Sequence, residues 1–371
     1  MQVSLRQIAE AIETLAPPGL AESWDRSGLQ VGDPEQTVTR AMVTLDPSLA
    51  AVAEARRAGA ELLITHHPLL LQPLERIDLS SPPGAVVAEL VRNGIALYAA
   101  HTNLDRAEGG VNDALAGLLH LTDVAPLGPG EAQVKVVVTV PVGYEGPVAE
   151  ALFAAGAGRV GAYSRCSFAG RGAGTFFPGE GAAPFLGAVG RAERVAESRL
   201  EVLAPRTRLA AVRRALGEAH PYERPAVDVY DLGDAAATGA LGRLGRLPES
   251  RPLGPWAAEV GRSLGASGVR WVGAADTLVR QVAVCGGSGA ELWRLARSSG
   301  ADVLVTGDLK YHTALDAVAA GFAVVDVGHG PSEACALPVL HDWLAGWVAE
   351  RGAQLELVAF REPDPFHWNM P

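Results

Sequence analysis

Short apolar segments typical of strands alternate with segments typical of helices over roughly the first 128 residues. The strand-like segments are RAMVTLD, ELLIT and IALYAA, and helices are predicted at about 4–15, from Pro47, and at about 84–94. Alternation of this kind predicts an α/β domain with a largely parallel sheet. The alternation returns from about residue 246 to residue 371, so the sequence predicts two α/β halves.

A different order of elements separates the two halves. From 131 to 231 the predicted order is strand–helix–strand–strand–helix–strand, which is that of a ferredoxin-like unit. The Ala- and Gly-rich stretch DLGDAAATGALGRLG (231–245) then has the composition of a return linker. We therefore predict an inserted domain at 131–231 between core segments at 1–130 and 232–371.

Composition and charge exclude several classes of protein. With 48% apolar and 20% charged residues, a chain of 371 residues is expected to be globular. The net charge of −11 disfavours nucleic acid and anionic membranes as partners, because both attract basic surfaces. The three cysteines are far apart, which argues against disulfides and a thiolate zinc site. The N-terminus has no apolar signal core, and no apolar run is long enough to span a bilayer, so we expect a cytoplasmic protein.

Histidines follow one of these predicted strands directly. The segment ELLIT continues into His66 and His67, and Pro68 cannot extend the strand ladder because it has no N–H. Neighbouring strand residues point to opposite sides, so these two imidazoles are expected to diverge and to serve different metals. In isolation, a histidine pair without any ligand explains this stretch equally well.

Two more strand ends carry metal-ligand residue types. His101 follows IALYAA and Asp105 comes four residues later, while His329 follows AVVDVG and Glu333 comes four residues later. Ligands of open α/β sheets bind at this edge. Glu333 is predicted in the first turn of a helix, where the dipole favours an acid even without a metal. The nitrogen and oxygen ligand set suits a pair of divalent ions such as Zn²⁺, Mn²⁺, Fe²⁺ or Co²⁺.

The chain resembles the Nif-three-like dinuclear-metal family, which includes GTP cyclohydrolase 1 type 2 homologues. The matching motifs are WDRSGLQVGD, THHPLL, AAHTNLD, ADVLVTGDLKYHTALDA and DVGHGPSE, in order across nearly the whole chain. The segment 131–231 resembles the PII/CutA-like module of the longer bacterial members through GAGRVGAYSRCSF, GTFFP and HPYERPAVDVY. The family usually has Asn-Val where this chain has Arg26-Ser27. The resemblance implies one α/β core built from both halves, with an inserted ferredoxin-like domain.

The resemblance also implies two divalent metal ions that share one carboxylate. The implied ligands are His66, Asp105 and Glu333 for the first ion, and His67, His329 and Glu333 for the second. His101 and His312 would lie beside the metals as catalytic groups, which either support the ligands or transfer protons.

Metal-activated water makes hydrolysis the expected chemistry. The family name implies attack on the purine ring of GTP with release of formate, and the family implies a toroidal homohexamer. A metal-dependent phosphoesterase is an alternative, in which the turn Gly286-Gly287-Ser288-Gly289 binds phosphate. The other alternative is not an enzyme but a metal- or metabolite-sensing assembly whose inserted module is regulatory. The partner expected in the enzymatic cases is a small molecule such as a nucleotide.

Three further residues have less specific predictions. Asp308, at the end of ADVLVTG, is either a substrate-contacting residue or part of an ordinary turn. Asp113 is predicted on an exposed helix face. His220 ends a helix of the inserted segment, where the helix dipole favours an imidazolium.

Overall fold

The computed structural model describes residues 1–128, 133–160, 163–232 and 240–366. The chain forms two compact units, the first made of residues 1–128 and 239–371 and the second of residues 129–238. Residues 233–239 of the predicted return linker lie outside the described residues. Among the described residues, no helix combines the length and the apolar character needed to cross a bilayer.

The N-terminal segment of the first unit contains seven strands and five helices. The strands are β1 (Val3–Ser4), β2 (Gly28–Val31), β3 (Thr37–Val38), β4 (Arg40–Thr44), β5 (Leu62–Thr65), β6 (Ala96–Ala99) and β7 (Thr122–Pro126). The helices are α1 (Leu5–Leu15), α2 (Leu49–Ala58), α3 (Gly84–Arg92), α4 (Thr102–Arg106) and α5 (Val111–Leu118).

The second unit has the element order strand–helix–strand–strand–helix–strand. These elements are β8 (Gln133–Pro141), α6 (Glu145–Ala154), β9 (Ser167–Phe176), β10 (Glu193–Pro205), α7 (Leu209–Ala219) and β11 (Val227–Asp231). The strands form one antiparallel sheet in the order β11-β8-β10-β9. Val136, Val138, Leu152 and Leu216 are buried together, which packs both helices onto one face of this sheet.

The C-terminal segment completes the first unit. Its strands are β12 (Arg243–Pro252), β13 (Arg270–Val272), β14 (Leu278–Val284), β15 (Val303–Thr306), β16 (Ala323–Asp326) and β17 (Glu356–Ala359). Its helices are α8 (Leu253–Leu264), α9 (Trp293–Ser298), α10 (Tyr311–Ala319), α11 (His329–Glu333) and α12 (Ala336–Arg351).

The two large sheets of the first unit exchange strands between the two halves of the chain, while β1 and β3 form a separate two-stranded sheet. One sheet has the order β17-β4-β5-β6-β2, so the last strand of the chain lies parallel to β4. The other has the order β13-β16-β15-β14-β12-β7, so β7 of the N-terminal segment pairs with β12. Neither half therefore completes its sheet without the other.

The central strands are buried on both faces, as expected for parallel strands covered on both sides. Leu62 and Ile64 of β5 join a core cluster that also contains Val282 and Val305 of the C-terminal segment. Leu63, between them in sequence, belongs to a separate cluster on the opposite face. The alternation of side chains along a strand explains why one apolar run serves two cores.

The predicted linker at 231–245 is partly wrong, because β12 begins at Arg243. Arg243 is 4% exposed, and its guanidinium donates to Asp113 at 2.7 Å and to the carbonyl of Ala107 at 2.7 Å. Asp113 is consequently a half-buried ion-pair partner and not part of a fully exposed helix face. The sequence of β12, RLGRLPESRP, does not indicate a strand, since it lacks the β-branched residues that mark strands.

Candidate metal centre

Parallel strands bring the predicted ligands of the N-terminal segment to one sheet edge. Strands β4, β5 and β6 are neighbours in parallel register, so the residues after each strand meet at their carboxyl ends. His66 and His67 follow β5, and His101 follows β6. Asp105 lies in the short helix α4 that starts directly after His101.

The C-terminal segment supplies the two remaining residues from helix α11. His329 is its first residue and Glu333 its last, so the two side chains lie four residues apart on one helix face. The prediction that Glu333 lies at the start of a helix is wrong, because α11 begins at His329 after the bend at Gly328 (φ +88°). The helix dipole therefore does not explain an acid at this position.

Histidine and carboxylate ligand atoms converge in three overlapping groups. In each group the atoms lie within 4.8 Å of one another, and the groups are His66, Asp105 and Glu333; His67, His329 and Glu333; and His66, His67 and His101. The first two have the same members as the two ligand sets that the family resemblance implies. Whether these groups bind metal ions stays a prediction.

His66 and His67 do not diverge as fully as strand alternation predicts. Strand β5 ends at Thr65, so the two histidines follow the strand and do not belong to it. Their ring centroids are 5.1 Å apart. Both contribute to the group with His101 as well as to separate groups with Glu333.

Each of the four histidines uses Nδ1 to contact an oxygen outside the cluster. Three of these oxygens belong to carboxylates and one to a backbone carbonyl. The contacts are His66 to Ala100 O at 2.8 Å, His67 to Asp46 at 2.7 Å, His101 to Asp25 at 2.8 Å and His329 to Asp308 at 2.7 Å. Metal-ligating histidines typically donate their other ring N–H to such a group, which fixes the tautomer and orients the ring. In this arrangement Nε2 of each ring is left to serve as a ligand.

Two buried atoms of the cluster lack hydrogen-bond partners within the described residues. They are His66 Nε2 and Asp105 Oδ1, which lie 3.5 Å apart. The His66 side chain is fully buried and that of Asp105 is 9% exposed. Leaving a buried polar group unbonded is costly, and a cation between these atoms would satisfy both. The donor set therefore fits a divalent metal ion.

The Glu333 carboxylate lies at the centre of the cluster. Its Oε2 is 2.9 Å from His67 Nε2 and 3.0 Å from His329 Nε2, and its Oε1 is 3.6 Å from His66 Nε2. Burial opposes its ionisation, but the contacts with three imidazoles outweigh burial and hold its pKa well below the usual range. Glu333 is thus a permanent anion with one oxygen facing each of the two predicted ligand sets.

His67 and His329 hold protons in the absence of metal. Burial lowers the pKa of His67, but Asp46 and Glu333 outweigh it and raise this pKa to about 10. The hydrogen bond to Glu333 raises the pKa of His329 to about 9 against the effect of burial. Burial raises the pKa of the Asp105 carboxyl to about 6. Metal binding would therefore displace protons from this cluster.

His101 is held by a buried network around Asp25. The Asp25 side chain is fully buried and also accepts hydrogen bonds from the Thr102 hydroxyl at 2.6 Å and from Ser27 at 2.9 Å. Burial opposes ionisation of Asp25, but the hydrogen bonds from His101 and Thr102 outweigh it and lower its pKa. Ser27, at one of the two positions that depart from the family pattern, thus supports the carboxylate that orients His101.

The turn at 286–289 donates its N–H groups within the protein. Gly286 N donates to Asn112 Oδ1 at 2.8 Å, and Gly287 N donates to Ser332 Oγ at 2.9 Å. Gly287 has φ +60°, and a Cβ there would overlap Oε1 of Glu333. The turn accommodates the Glu333 carboxylate, and these two N–H groups are not free to bind phosphate.

His312 is the one predicted site residue that the structure does not bring to the cluster. It lies on the exposed side of α10, whose buried residues are Thr313 and Ala317. Within the described part of the chain, no candidate metal-binding group includes it. Asp46 and Asp25 were not predicted as site residues, although Asp46 has the same position after β4 that His67 has after β5.

The fold and the cluster define an α/β protein of two units, with histidine and carboxylate groups that could hold metal ions. The chain belongs to the Duf34/NIF3 (NGG1p interacting factor 3) family, whose sequence model matches residues 3–365. This confirms the family resemblance drawn from the motifs.

The chain is similar to proteins named GTP cyclohydrolase 1 type 2 homolog. The one from Mycobacterium leprae is 43% identical over 339 residues, which cover 90% of this chain and 88% of that protein. The one from Bacillus subtilis is 42% identical over 329 residues, which cover 88% of each. The crystal structure of a Bacillus cereus protein related to NIF3 matches with a TM-score of 0.83 at 40% identity over 99% of both chains.

Proposed function

We propose that this protein is a hydrolase that depends on two divalent ions, Zn²⁺, Mn²⁺, Fe²⁺ or Co²⁺, and acts on a nucleotide or a related heterocycle. One observation carries the proposal. The buried Glu333 carboxylate directs Oε2 towards His67 and His329, and Oε1 towards His66. A carboxylate shared in this way suits two ions a few ångströms apart.

The residues that would hold the ions are the two predicted sets. His66, Asp105 and Glu333 would bind one ion, and His67, His329 and the shared Glu333 the other. When bound, such a pair of ions supplies Lewis acidity and lowers the pKa of a water molecule enough for attack near neutral pH. The absence of thiolates from these sets favours the harder divalent ions named above.

His101 is the candidate for proton transfer. Its Nδ1 donates to the ionised Asp25 at 2.8 Å, which leaves Nε2 able to accept a proton. Its ring centroid lies 5.4 Å from that of His66 and 5.7 Å from that of His67, beside the ligands. Because Asp25 also accepts from Thr102 and Ser27, the orientation of this imidazole is fixed before substrate binds.

The proposed substrate class rests on the names of the relatives. Several similar proteins are called GTP cyclohydrolase 1 type 2 homolog, and this name suggests ring opening of a purine with release of formate. A phosphoesterase has less support, since the N–H groups of Gly286 and Gly287 already donate to Asn112 and Ser332.

Metal analysis combined with turnover tests this proposal. The protein is purified without chelator, its metals are quantified, and GTP and other nucleotides are assayed for formate and phosphate. We expect about two metal ions per chain and formate release in the wild type, with both largely lost in Glu333→Ala. Glu259→Ala, which removes a carboxylate from the exposed pair with Arg251, is the matched control.

Full metal content in Glu333→Ala would contradict the role of Glu333 as the shared ligand. Metal-dependent phosphate release without formate would identify a phosphoesterase, and bound metal without turnover would favour a sensor.

We further propose that the segment 131–231 is an inserted ferredoxin-like domain of the PII/CutA-like kind, between core segments 1–130 and 232–371. Its support is the antiparallel order β11-β8-β10-β9, in which each helix links two strands that are not neighbours.

The family resemblance supports a cytoplasmic, toroidal homohexamer with a small-molecule substrate and without nucleic-acid or membrane partners. Light scattering during size-exclusion chromatography tests the assembly, and a mass other than six chains would contradict it.

A further inference from the structure

A cavity of about 290 Å³ lies within the second unit. Its walls come from the end of strand β9, from the following segment 177–186, and from the segment 222–226 after helix α7. Strand β10 contributes Glu197 and strand β8 contributes Thr139. The volume is at the lower end of the range for small-molecule sites, so the cavity suits a compact ligand.

A buried carboxylate forms part of this cavity. Glu197 is only 7% exposed, and its Oε1 accepts a hydrogen bond from the Tyr222 hydroxyl at 2.8 Å. A Cβ at Gly174 would overlap Oε2 of Glu197, so this glycine on the neighbouring strand makes room for the carboxylate. Burial and the hydrogen bond to Glu197 raise the pKa of Tyr222, so the phenol keeps its proton and remains the donor.

Glu197 has no cationic partner among the described residues. Carboxylates are rarely buried to this degree unless a cation pairs with them. Arg224 also lines the cavity, but no ion pair joins it to Glu197 in the described part of the chain. The hydroxyl of Tyr222 alone leaves most of the acceptor capacity of the carboxylate unused.

Aromatic rings surround the same space. The ring centroid of Tyr222 lies 6.2 Å from that of Phe176 and 6.4 Å from that of Phe185, and all three residues line the cavity. Phe177, which also lines it, is 65% exposed, and Phe185 is 45% exposed. Faces of aromatic rings attract cations, and several rings around one carboxylate form a site for an organic ammonium group.

His220 fixes this arrangement but does not face a ligand. Its Nε2 donates to the Thr139 carbonyl at 2.9 Å, and its Nδ1 accepts from the backbone N–H of Tyr222 at 3.0 Å. Burial lowers the pKa of His220, so the imidazole is neutral and the predicted imidazolium is wrong. The motif His220-Pro221-Tyr222 thus positions the phenol that holds Glu197.

We propose that this cavity binds a small organic cation, with its ammonium group against Glu197 and its body among Phe176, Phe185 and Tyr222. A free metal ion does not suit the cavity, because its two carboxylates, Glu197 and Glu223, belong to no group of three or more ligand residues within the described part of the chain. The site belongs to the second unit alone and does not involve the residues of the metal cluster.

Calorimetric titration of the full-length protein tests the proposal with choline and phenethylamine as probes. Dimethylbutanol, the uncharged carbon isostere of choline, is the control ligand. We expect saturable binding of at least one cation, about tenfold or more tighter than dimethylbutanol, because the isostere lacks the positive charge that the ring faces and Glu197 attract. Absence of saturable binding by both cations would overturn the proposal, and so would binding of dimethylbutanol as tight as that of the tighter cation.

Variants of the full-length protein locate the site. Glu197→Gln keeps the shape of the side chain and should weaken cation binding about tenfold or more. Glu201→Gln removes a charge from the same strand at a residue paired with Lys135, and should leave binding unchanged. Phe185→Leu, at a half-exposed position that should tolerate the change, is expected to weaken binding about threefold. Unchanged binding in both Glu197→Gln and Phe185→Leu would place the cation elsewhere and refute the assignment.

Discussion

His67 donates its Nδ1 hydrogen to Asp46 Oδ1 at 2.7 Å, and its Nε2 lies 2.9 Å from Glu333. Asp46 follows strand β4 and His67 follows the neighbouring parallel strand β5, and the last paired residues of these strands are Thr44 and Thr65. The sheet therefore holds the Asp46 carboxylate against Nδ1 of His67, while Nε2 of the same ring faces the cluster. This contact fixes both the tautomer and the orientation of the ring.

Asp46→Asn should weaken metal binding without unfolding the protein. The amide has nearly the size of the carboxylate, but it is a poorer acceptor and allows the imidazole to rotate. We expect about a 10- to 100-fold higher dissociation constant for the bound metal, measured by competition with a chromogenic chelator. Asp342→Asn is the matched control, since Asp342 contacts Nδ1 of the exposed His341 at 3.0 Å outside the cluster. Equal metal affinity in the two variants would show that the contact of Asp46 does not orient a ligand.

Gly287→Ala should disturb the centre of the cluster through steric overlap with Glu333. The added methyl group would overlap Oε1 of Glu333 and would lie only 3.3 Å from Nε2 of His329. We expect loss of metal, measured as metal content after dialysis against a weak chelator.

Gly352→Ala separates this overlap from backbone strain. Gly352 has φ +59°, close to the +60° of Gly287, but a Cβ there would meet no atom within 4 Å. Backbone strain should cost both variants about 1–2 kcal/mol of stability, because an L-residue is unfavourable in this conformation. Gly287→Ala should lose more than Gly352→Ala because of its overlap with Glu333. Only Gly287→Ala should also lose metal. Parallel losses of metal in both variants would contradict the packing of Glu333 against this turn.

The stability of the metal-free protein should fall at alkaline pH. The pKa of His67 is raised from 6.5 to about 10 and that of His329 from 6.5 to about 9. A pKa that is higher in the folded state means that the protonated form stabilises the fold. This contribution is complete below pH 6.5 and is lost as the pH rises through about 9 and about 10.

Thermal melting of chelator-treated protein between pH 7 and pH 10.5 measures this loss. The double variant His67→Gln/His329→Gln lacks both titrating groups and reports the background from all other residues. We expect the melting temperature of the wild type to fall more steeply than that of the double variant. Parallel curves would show that these imidazoles do not hold protons in the folded, metal-free protein.

Strand ends made much of the candidate site predictable from sequence. His66, His67 and His101 follow apolar runs long enough to be recognised as buried strands, and parallel strands bring such residues to one edge. Asp46 follows a strand in the same way, but an aspartate after a strand is also a common turn residue. Its role depends on the neighbouring strand, which the local sequence does not identify.

Other features depend on contacts between distant segments. Asp25 lies in a loop and reaches His101 across 76 residues, so no local pattern predicts their contact. The pairing of β17 with β4 and of β7 with β12 is likewise absent from the order of elements. His312 does not directly follow a strand, its predicted role came from the family resemblance alone, and the orientation of α10 leaves it exposed.

Arg243 and Asp113 form an ion pair whose loss should strongly destabilise the first unit. The guanidinium is 5% exposed and the Asp113 side chain 27% exposed, and Arg243 also donates to the carbonyls of Ala240 and Ala107. Arg243→Met leaves the carboxylate and the carbonyls without their donor in a low-dielectric environment. Removing one partner of a buried pair costs about 3–5 kcal/mol, and here the loss should lie near the lower value because Asp113 keeps some contact with water.

Arg251→Met is the matched control for this effect. Arg251 lies on the same strand as Arg243, β12, and pairs with Glu259 of α8 at 2.6 Å. The Arg251 side chain is 36% exposed and that of Glu259 is 45% exposed. Water and salt screen such a pair, so its removal should change stability far less. Urea unfolding followed by circular dichroism measures both variants against the wild type. If Arg251→Met lost as much stability as Arg243→Met, burial would not be the reason that Arg243 stabilises the junction of α5 and β12.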